Sequence, residues 1–200
     1  MPRLVLASAS PARRRLLGSA GIDADVVVSG VDESTVDVPD GAALSLTLAR
    51  LKAEAVAARL GPADDVLVLG CDSVLEFGGA VLGKPADAAE AARRWYAMRG
   101  RRGELHTGHC LIHLGDGKRA EAVASTTVHF ADVTDEEIAA YVGTGEPLQV
   151  AGAFTIDGLG GPFVESIEGD HSNVVGLSLP LLRRLLAELG TRLTDLWRTG

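Results

Sequence analysis

Apolar and polar residues follow two different periods along this chain, one typical of strands and the other of helices. The first apolar run, Leu4–Ala7, predicts a short buried strand over Arg3–Ala7. Ser10 and Pro11 then predict a helix that reaches about Ser19, because serine caps free N–H groups and proline loses no hydrogen bond at the first helical position. The chain therefore begins with a strand that leads directly into a helix N-terminus.

The longest helix expected is Ala42–Leu60, whose leucines recur at helical spacing up to a Gly-Pro pair. The apolar run Val66–Cys71 predicts a buried strand that ends at Asp72, and Gly78-Gly79 predicts a hairpin turn. Further strands are expected at Ala24–Ser29, Leu105–Leu114, Glu121–Phe130 and Phe163–Ile167, and further helices at Asp87–Met98, Asp135–Val142 and Pro180–Leu189.

Strands alternate with helices early in the chain, and hairpins follow in the middle. This order predicts an α/β fold with a mixed, twisted β-sheet and flanking helices rather than a purely parallel sheet. Two hundred residues suit one domain, or one domain with two lobes, and no linker or repeat divides residues 1–200. Because only 4% of the residues are aromatic, we expect a core of aliphatic side chains.

Lys and Arg number 19 against 27 Asp and Glu, which gives a formal net charge of -8. This balance argues against broad nucleic-acid binding, which usually needs a basic face. No apolar run approaches the roughly 18–20 residues that span a bilayer, and the N-terminus has no signal-peptide pattern. The two cysteines, Cys71 and Cys110, form no CxxC pair. We therefore expect a cytoplasmic protein without nucleic-acid or membrane partners.

An anion site is predicted where the first strand meets the first helix. Free backbone N–H groups and the positive end of the helix dipole lie there. Ser8 and Ser10 add hydroxyl groups, and Arg13 can reach back from the first turn. Arg14 and Arg15 are interpreted as outward-facing helix residues or as partners of nearby acids.

Several charged residues are candidates for chemistry, each with a structural alternative. Asp72 follows a predicted central strand, where ligands collect in open α/β sheets, and either binds a divalent ion, orients a water or caps a turn. Glu33 either joins Asp72 on one ion or belongs to a solvated loop. Lys52, beside the core face of the long helix, and Lys84, between a glycine and a proline, each contact either a phosphate or solvent.

The segment HTGHCLIH contains three histidines without a metal-ligand spacing. On a strand His106 would point away from the face that His109 and His113 share, so we reject a zinc site and interpret all three as strand and edge residues. Thr107-Gly108 predicts a polar break in this strand. Later in the chain, Asp157 introduces a glycine-rich loop that either approaches a flat base or is a flexible connection.

In combination, these segments resemble one family. The chain is similar to the Maf family of nucleoside triphosphate pyrophosphatases, also called septum-formation inhibitors, in LVLASASPARRRLL, VDE, GCDSV, LGKP, YVGTGEPLQVAGAFTIDGLGGPFVESIEGD and NVVGLSLPLL. The similarity runs from about Leu4 to Leu182. It implies two lobes around a central cleft in an inosine-triphosphate-pyrophosphatase-like fold. It also implies hydrolysis of a nucleoside triphosphate to the monophosphate and pyrophosphate with Mg²⁺ or Mn²⁺, and a homodimer.

The resemblance assigns roles to individual positions. Asp72 matches the catalytic aspartate that is usually described as the proton acceptor, and Glu33 and Lys84 are also assigned to catalysis. Asp72 and Glu33 would hold the metal ion. Substrate binding is assigned to Ser8, Ser10, Arg13, Lys52, Ala12, Ser73 and Asp157.

The chain departs from the family pattern at its specificity positions, Ala12, Ser73 and Asp157. The thymidine and uridine triphosphate branch has Arg, Thr and Gln there, and the 7-methyl-GTP branch has Trp, Gln and Glu, so the preferred base stays open. Gly103 and Val150 stand where family members often carry His and Lys. Arg101 or His106 is the expected replacement for those groups.

A triphosphate carries about four negative charges, so its cleavage depends mainly on positioning and charge neutralisation. The residues above fit cleavage of the α–β anhydride bond of a standard or modified nucleotide, and the resemblance implies a house-cleaning role linked to cell-division arrest. Two alternatives stay open. One is a nucleotidyltransferase, which needs a second substrate, and the other is a regulator of septum formation that binds a nucleotide without turnover.

Overall fold

The computed structural model describes residues 2–197 of the chain. The strands in this range are β1 Arg3–Leu6, β2 Ala24–Val26, β3 Val66–Phe77, β4 Ala80–Leu82, β5 Arg102–His113, β6 Arg119–Phe130 and β7 Val164–Glu168. The α-helices are α1 Pro11–Ser19, α2 Gly41–Leu60, α3 Ala88–Met98, α4 Asp135–Gly143, α5 His171–Val175 and α6 Leu179–Glu188. Short 3-10 turns lie at Glu33–Thr35, Glu146–Gln149, Ala151–Ala153, Gly161–Phe163 and Leu193–Leu196.

The seven described strands form one mixed sheet in the order β2-β1-β3-β5-β6-β7, and β4 pairs with the far end of β3. β1 is parallel to both of its neighbours, whereas the other pairs are antiparallel. Helices flank this sheet, so the predicted α/β fold with a mixed sheet is confirmed. None of the described helices combines the length and the apolarity needed to cross a membrane.

The side of β3 next to β1 has an opening in its strand pairing. Pairing with β1 ends at Leu69, and pairing with β4 begins at Leu75. In the described range no strand covers β3 between these points on that side. Asp72 lies in this interval and not at a strand end, so the predicted end of the strand was wrong. The strand continues because β5 pairs with it from Leu67 to Glu76.

Two glycines allow α2 to lie directly on the sheet. A Cβ atom at Gly70 would stand 2.1 Å from the carbonyl oxygen of Ala49, and one at Gly108 would stand 2.2 Å from that of Ser45. Gly108 is the register partner of Asp72, and β5 runs through it without interruption. The predicted polar break at Thr107-Gly108 was therefore wrong: the glycine is required by the close approach of the helix.

Three apolar clusters hold the fold together. One lies between the sheet and α1 and α6, and the second lies under α2; both are mainly aliphatic, as expected. The third surrounds Trp95 of α3 and is rich in aromatic residues. Rings of Phe130, Tyr141 and Phe163 meet Trp95 edge-on at centroid distances of 5.5–5.9 Å. The few aromatic residues are thus concentrated in one part of the core, which composition did not reveal.

Several element boundaries differ from the predictions. β2 stops at Val26, before an exposed Val28, and β5 and β6 each begin earlier than predicted. The five-residue helix α5 was not predicted. The C-terminal segment forms the turn Leu193–Leu196, and Trp197 bridges to Ile22. These are the boundaries that depend on contacts far away in the sequence.

Candidate active site

The start of α1 forms as the Ser-Pro signal predicts. Ser10 is the N-cap, and its side chain accepts a hydrogen bond from the Arg13 backbone N–H at 3.4 Å. Ser8 Oγ accepts hydrogen bonds from the Ser10 backbone N–H at 3.2 Å and from Arg13 at 3.1 Å. Because Ser8 uses its oxygen as the acceptor in both, its own O–H proton remains available to a ligand.

Arg13 is buried although its charge has no acidic partner in direct contact. Its side chain is directed inward by three neutral acceptors: Gly176 O at 2.7 Å, Ser8 Oγ at 3.1 Å and Ser73 Oγ at 3.0 Å. No salt bridge to Arg13 occurs among residues 2–197. A buried cation without a counter-ion is costly, so this position favours an incoming anion.

A second charged group, formed by Lys52, Asp72 and Glu33, lies on the other face of β3. The ammonium of Lys52 is 2.6 Å from Asp72 Oδ1 and 2.7 Å from Glu33 Oε1. Lys52 and Asp72 are almost fully buried, whereas about half of the Glu33 side chain is exposed, at 53%. The 3-10 turn Glu33–Thr35, capped by Asp32, supplies the third member. The long helix, the central strand and the acidic loop are thus brought together.

The pKa of Asp72 is raised above its ordinary value, because burial disfavours the carboxylate more than the charges of Lys52 and Arg13 favour it. Nearby Glu33 adds a smaller effect in the same direction as burial. A carboxylate with a raised pKa is a better proton acceptor than a solvated one. The only hydrogen bond to the Asp72 side chain within the described range uses Oδ1, so Oδ2 can face a water.

The predicted metal pair, Asp72 and Glu33, is bridged by the Lys52 ammonium and is not open toward a shared ion. No group of three or more acidic, histidine or cysteine side chains in residues 2–197 has the arrangement of a metal cage. Mg²⁺, however, is commonly held by one or two carboxylates together with substrate phosphates. The two carboxylates fit such a substrate-dependent site and do not form a complete site by themselves.

Lys84 and the specificity positions have different surroundings. Lys84 is exposed after β4, and no hydrogen bond or ion pair joins it to another residue of the described chain. Ser73 contacts Arg13 and therefore belongs to the buried end of the site. Asp157 forms an ion pair with Arg15 at 3.6 Å, and Ala12 is half-buried on the same helix. Arg15 is thus a partner of a distant acid rather than a local one.

The loop that carries Asp157 is organised by Glu146, a residue that sequence reasoning missed. Its carboxylate accepts hydrogen bonds from Tyr141 Oη at 2.9 Å, from the N–H groups of Leu159 and Gly160 at 3.1 and 3.0 Å, and from the Thr155 hydroxyl. Burial acts to raise the pKa of Glu146, but these hydrogen bonds outweigh it and lower the pKa. The sequence signal for this role was that Glu146 is an isolated acidic residue within a glycine-rich segment.

The groups expected to replace the missing family residues lie outside the hydrogen-bonded centre. The Arg101 guanidinium stacks on Phe77 at 4.6 Å, and His106 hydrogen-bonds Ser125 at 2.8 Å. A Cβ atom at Gly103 would stand 3.0 Å from Leu75 Cδ1 and 3.1 Å from Glu76 O of β3, and Val150 lies at a junction of two 3-10 turns. The replacement of the missing family side chains by Arg101 or His106 therefore stays a prediction.

The histidines of β5 are not edge residues, because β5 is an inner strand. His106 and His109 are buried, and only His113 is partly exposed, beside Asp116. His109 bonds the backbone on two sides, through Thr107 O and the Ser178 N–H. The two cysteines are free and buried, and burial raises the pKa of Cys71 to about 12, which makes its thiol unreactive.

Comparison with known proteins places this geometry in a family. The family model described as Maf-like protein matches residues 3–189. A protein of Salinispora tropica named nucleoside triphosphate pyrophosphatase is 69% identical to this chain. The match covers 99% of this chain and 88% of that protein. One of the same name from Streptomyces coelicolor is 60% identical, covering 98% and 94%. The solved Ham1 protein of Staphylococcus aureus is 18% identical with a TM-score of 0.39, covering 65% of this chain and 72% of its own.

The family match spans nearly the whole chain and includes every residue of the Arg13 and Asp72 groups. The relatives match along almost their full lengths, so the similarity is not confined to one motif. The chain belongs to the Maf family.

Proposed function

We propose that this chain hydrolyses the α–β phosphoanhydride bond of a nucleoside triphosphate and releases the monophosphate and pyrophosphate. The observation that carries this proposal is a buried arginine, Arg13, which has no acidic partner among the described residues and which contacts Ser73, the neighbour on β3 of the buried Asp72 carboxylate with its raised pKa. The names of the relatives, nucleoside triphosphate pyrophosphatase, support the same reaction.

The triphosphate would bind where β1 leads into α1. The guanidinium of Arg13 would neutralise phosphate charge, the Ser8 hydroxyl would donate its proton in a hydrogen bond, and the helix N-terminus adds its positive dipole end. Ser10 shapes the turn by capping the helix. Lys84, exposed after β4, would contribute a further positive charge to the phosphates. Ser73 holds Arg13 and would contact the phosphate end of the substrate, not the base.

Asp72 would take the proton from a water that attacks the α-phosphorus. The bond from that phosphorus to the bridging oxygen then breaks, and pyrophosphate leaves with its charge neutralised by the cations at the site. Lys52 fixes Asp72 through Oδ1 and leaves the second oxygen for the water. Glu33 holds Lys52 from the solvent side. Glu33 therefore orients Lys52, and Lys52 orients Asp72.

A divalent ion, Mg²⁺ or Mn²⁺, would be held by Asp72, Glu33 and the phosphates, and would neutralise charge on the leaving group. Asp72 is needed as a carboxylate in either role. Lys52 must then share the carboxylates with the ion, which the half-exposed Glu33 allows because its side chain can move in solvent.

The base would lie near the rim formed by α1 and the glycine-rich loop. Asp157 and Ala12 are assigned to base selection from the family positions, and the Arg15–Asp157 pair lies across this rim. We further propose a cytoplasmic house-cleaning enzyme, linked to cell-division arrest, that acts without nucleic-acid or membrane partners. A homodimer is the proposed assembly.

One assay tests the reaction. The purified chain is incubated with a panel of standard and modified nucleoside triphosphates, with Mg²⁺ or Mn²⁺, and the products are identified by anion-exchange chromatography. Equal amounts of monophosphate and pyrophosphate are expected. Release of single phosphate would contradict α–β cleavage. Tight nucleotide binding with no product would indicate a regulator, and product formation only with a second substrate would indicate a nucleotidyltransferase.

A further inference from the structure

His109 on β5 is a buried titratable group that the proposed chemistry does not use. It is fully buried, and it shares a face of the strand with Thr107 because the two are two residues apart. The Ser178 backbone N–H donates to Nε2 at 2.9 Å, so this nitrogen must be an acceptor. Nδ1 then carries the proton and donates to Thr107 O at 3.0 Å. Two backbone groups therefore fix a neutral imidazole in one tautomer.

One of these backbone contacts leads to Arg13 through the chain between α5 and α6. Ser178 follows Gly176 by two residues, and Gly176 O accepts the hydrogen bond from Arg13 Nε at 2.7 Å. Gly176 has a φ of +127°, and a Cβ there would lie 3.3 Å from Arg13 Nε. The carbonyl is thus presented to Arg13 in a conformation that only glycine adopts readily, and His109 holds the next residues in place.

The other contact leads to Arg13 through side chains. Thr107 donates its hydroxyl proton to Asn173 O at 3.2 Å, so it must accept from Ser73 Oγ at 2.9 Å. Ser73 in turn accepts from Arg13 at 3.0 Å. These hydrogen bonds have one consistent direction, and they begin at the guanidinium.

The contacts close into a ring around the base of the phosphate site. We name it the Arg13 ring, and its members are Arg13, Gly176, Ser178, His109, Thr107 and Ser73. His109 is the one member whose side chain joins the two arms, and it lies on the far side of the ring from the guanidinium.

We propose that His109 is a positioning residue for phosphate binding, because by holding Thr107 and Ser178 together it fixes the direction in which Arg13 presents its guanidinium. The proposal rests on the assignment of Arg13 to the triphosphate in the proposed function. Burial lowers the pKa of His109 to about 4, so Nε2 remains an acceptor at neutral pH, as the Ser178 N–H requires.

The first test compares two substitutions of His109. His109→Gln retains an acceptor toward Ser178, whereas His109→Leu removes both hydrogen bonds. We expect His109→Leu to raise the KM for nucleotide by about tenfold, the size of one lost hydrogen bond to a charged group. The KM of His109→Gln should stay close to the wild-type value. Leu111→Ala, a cavity on the same strand, is the control and should lower the Tm without changing the KM. Equal KM values for all variants would overturn the proposal.

A double-mutant cycle separates positioning from general loss of structure. If His109 acts through Arg13, then His109→Leu should lower kcat/KM in the wild-type background and add little to Arg13→Lys. Losses that simply add would contradict the proposal. If His109→Leu does not fold, His109→Asn, which retains only the donor to Thr107, replaces it in both tests.

Binding of inorganic tripolyphosphate, measured by calorimetry, distinguishes this proposal from the proposed function. Weaker tripolyphosphate binding in His109→Leu but not in His109→Gln would support positioning even if wild type hydrolysed no nucleotide. Normal hydrolysis by wild type with unchanged tripolyphosphate binding in His109→Leu would overturn positioning and leave the proposed function intact.

Discussion

Gly108→Ala should disable the site although the substitution replaces none of the residues assigned to substrate binding or catalysis. The added Cβ would stand 2.2 Å from Ser45 O, 2.4 Å from Ser45 C and 2.5 Å from Leu46 N. All three are backbone atoms of α2, so no side-chain rotation can relieve the contact. Close packing requires the helix to move away by at least about 1 Å. Lys52 lies two turns further along this helix and moves with it.

The size of the effect follows from that displacement. Overpacking of this kind costs about 1–3 kcal/mol of stability, and a misplacement of about 1 Å in a catalytic group can cost about 10²-fold in rate. The contact at risk is the 2.6 Å hydrogen bond between Lys52 and Asp72. We therefore expect a folded variant with kcat/KM lowered by about 10²-fold, measured by monophosphate release alongside thermal unfolding.

Gly18→Ala is the matched control, because no atom lies within 4 Å of its added Cβ and Gly18 is helical. It should retain activity and Tm. Gly70→Ala, whose Cβ would stand 2.1 Å from Ala49 O, should reproduce the loss from a second point on the same helix. Gly108→Ala with wild-type kcat/KM would refute the argument that close packing of α2 builds the site.

The remaining predictions concern charge and pH. Lys52→Met leaves Asp72 buried and unpaired, so it should cost about 3–5 kcal/mol in denaturant unfolding. Because Lys52 lowers the pKa of Asp72, its removal raises that already raised pKa further, so this loss should grow as pH rises above the ordinary carboxyl pKa, and a pH-independent loss would contradict it. Glu146→Gln should raise the KM more than it lowers kcat in steady-state assays, since it loosens the loop that carries Asp157; an unchanged KM would contradict this role. The lowered pKa of His109, about 4 against 6.5 when unfolded, means that the folded state binds fewer protons between these values, so unfolding free energy should fall by at most roughly 3 kcal/mol as pH drops through this window. Urea titrations should show a flatter profile for His109→Gln, and an equally steep one would exclude His109 as the source.

The starts of the longer helices were predictable because their signals are local. Ser10 caps α1, as predicted, and Thr134 caps α4 with a complete capping box. The end of β3 was not predictable. An aspartate inside a central strand is tolerated here because Lys52, twenty residues earlier, neutralises it, and no local pattern reveals such a partner.

The same distinction explains the site. Arg13, Lys52, Asp72 and Glu33 were all singled out as charged residues that could face phosphate or metal. Their sequence contexts did not show that Lys52 lies between the two carboxylates, because this depends on how closely α2 approaches the sheet. Gly108 permits that approach, and in the sequence it resembled a strand break.

The central claim is that Asp72 activates the attack on the α-phosphorus, and one variant tests it directly. Asp72→Asn retains the size and most of the packing of the side chain but cannot accept the proton. Product analysis of the best substrate should show kcat lowered by at least about 10²-fold for monophosphate and pyrophosphate together, with the fold retained by circular dichroism. Near-normal pyrophosphate release by a folded Asp72→Asn variant would contradict the account.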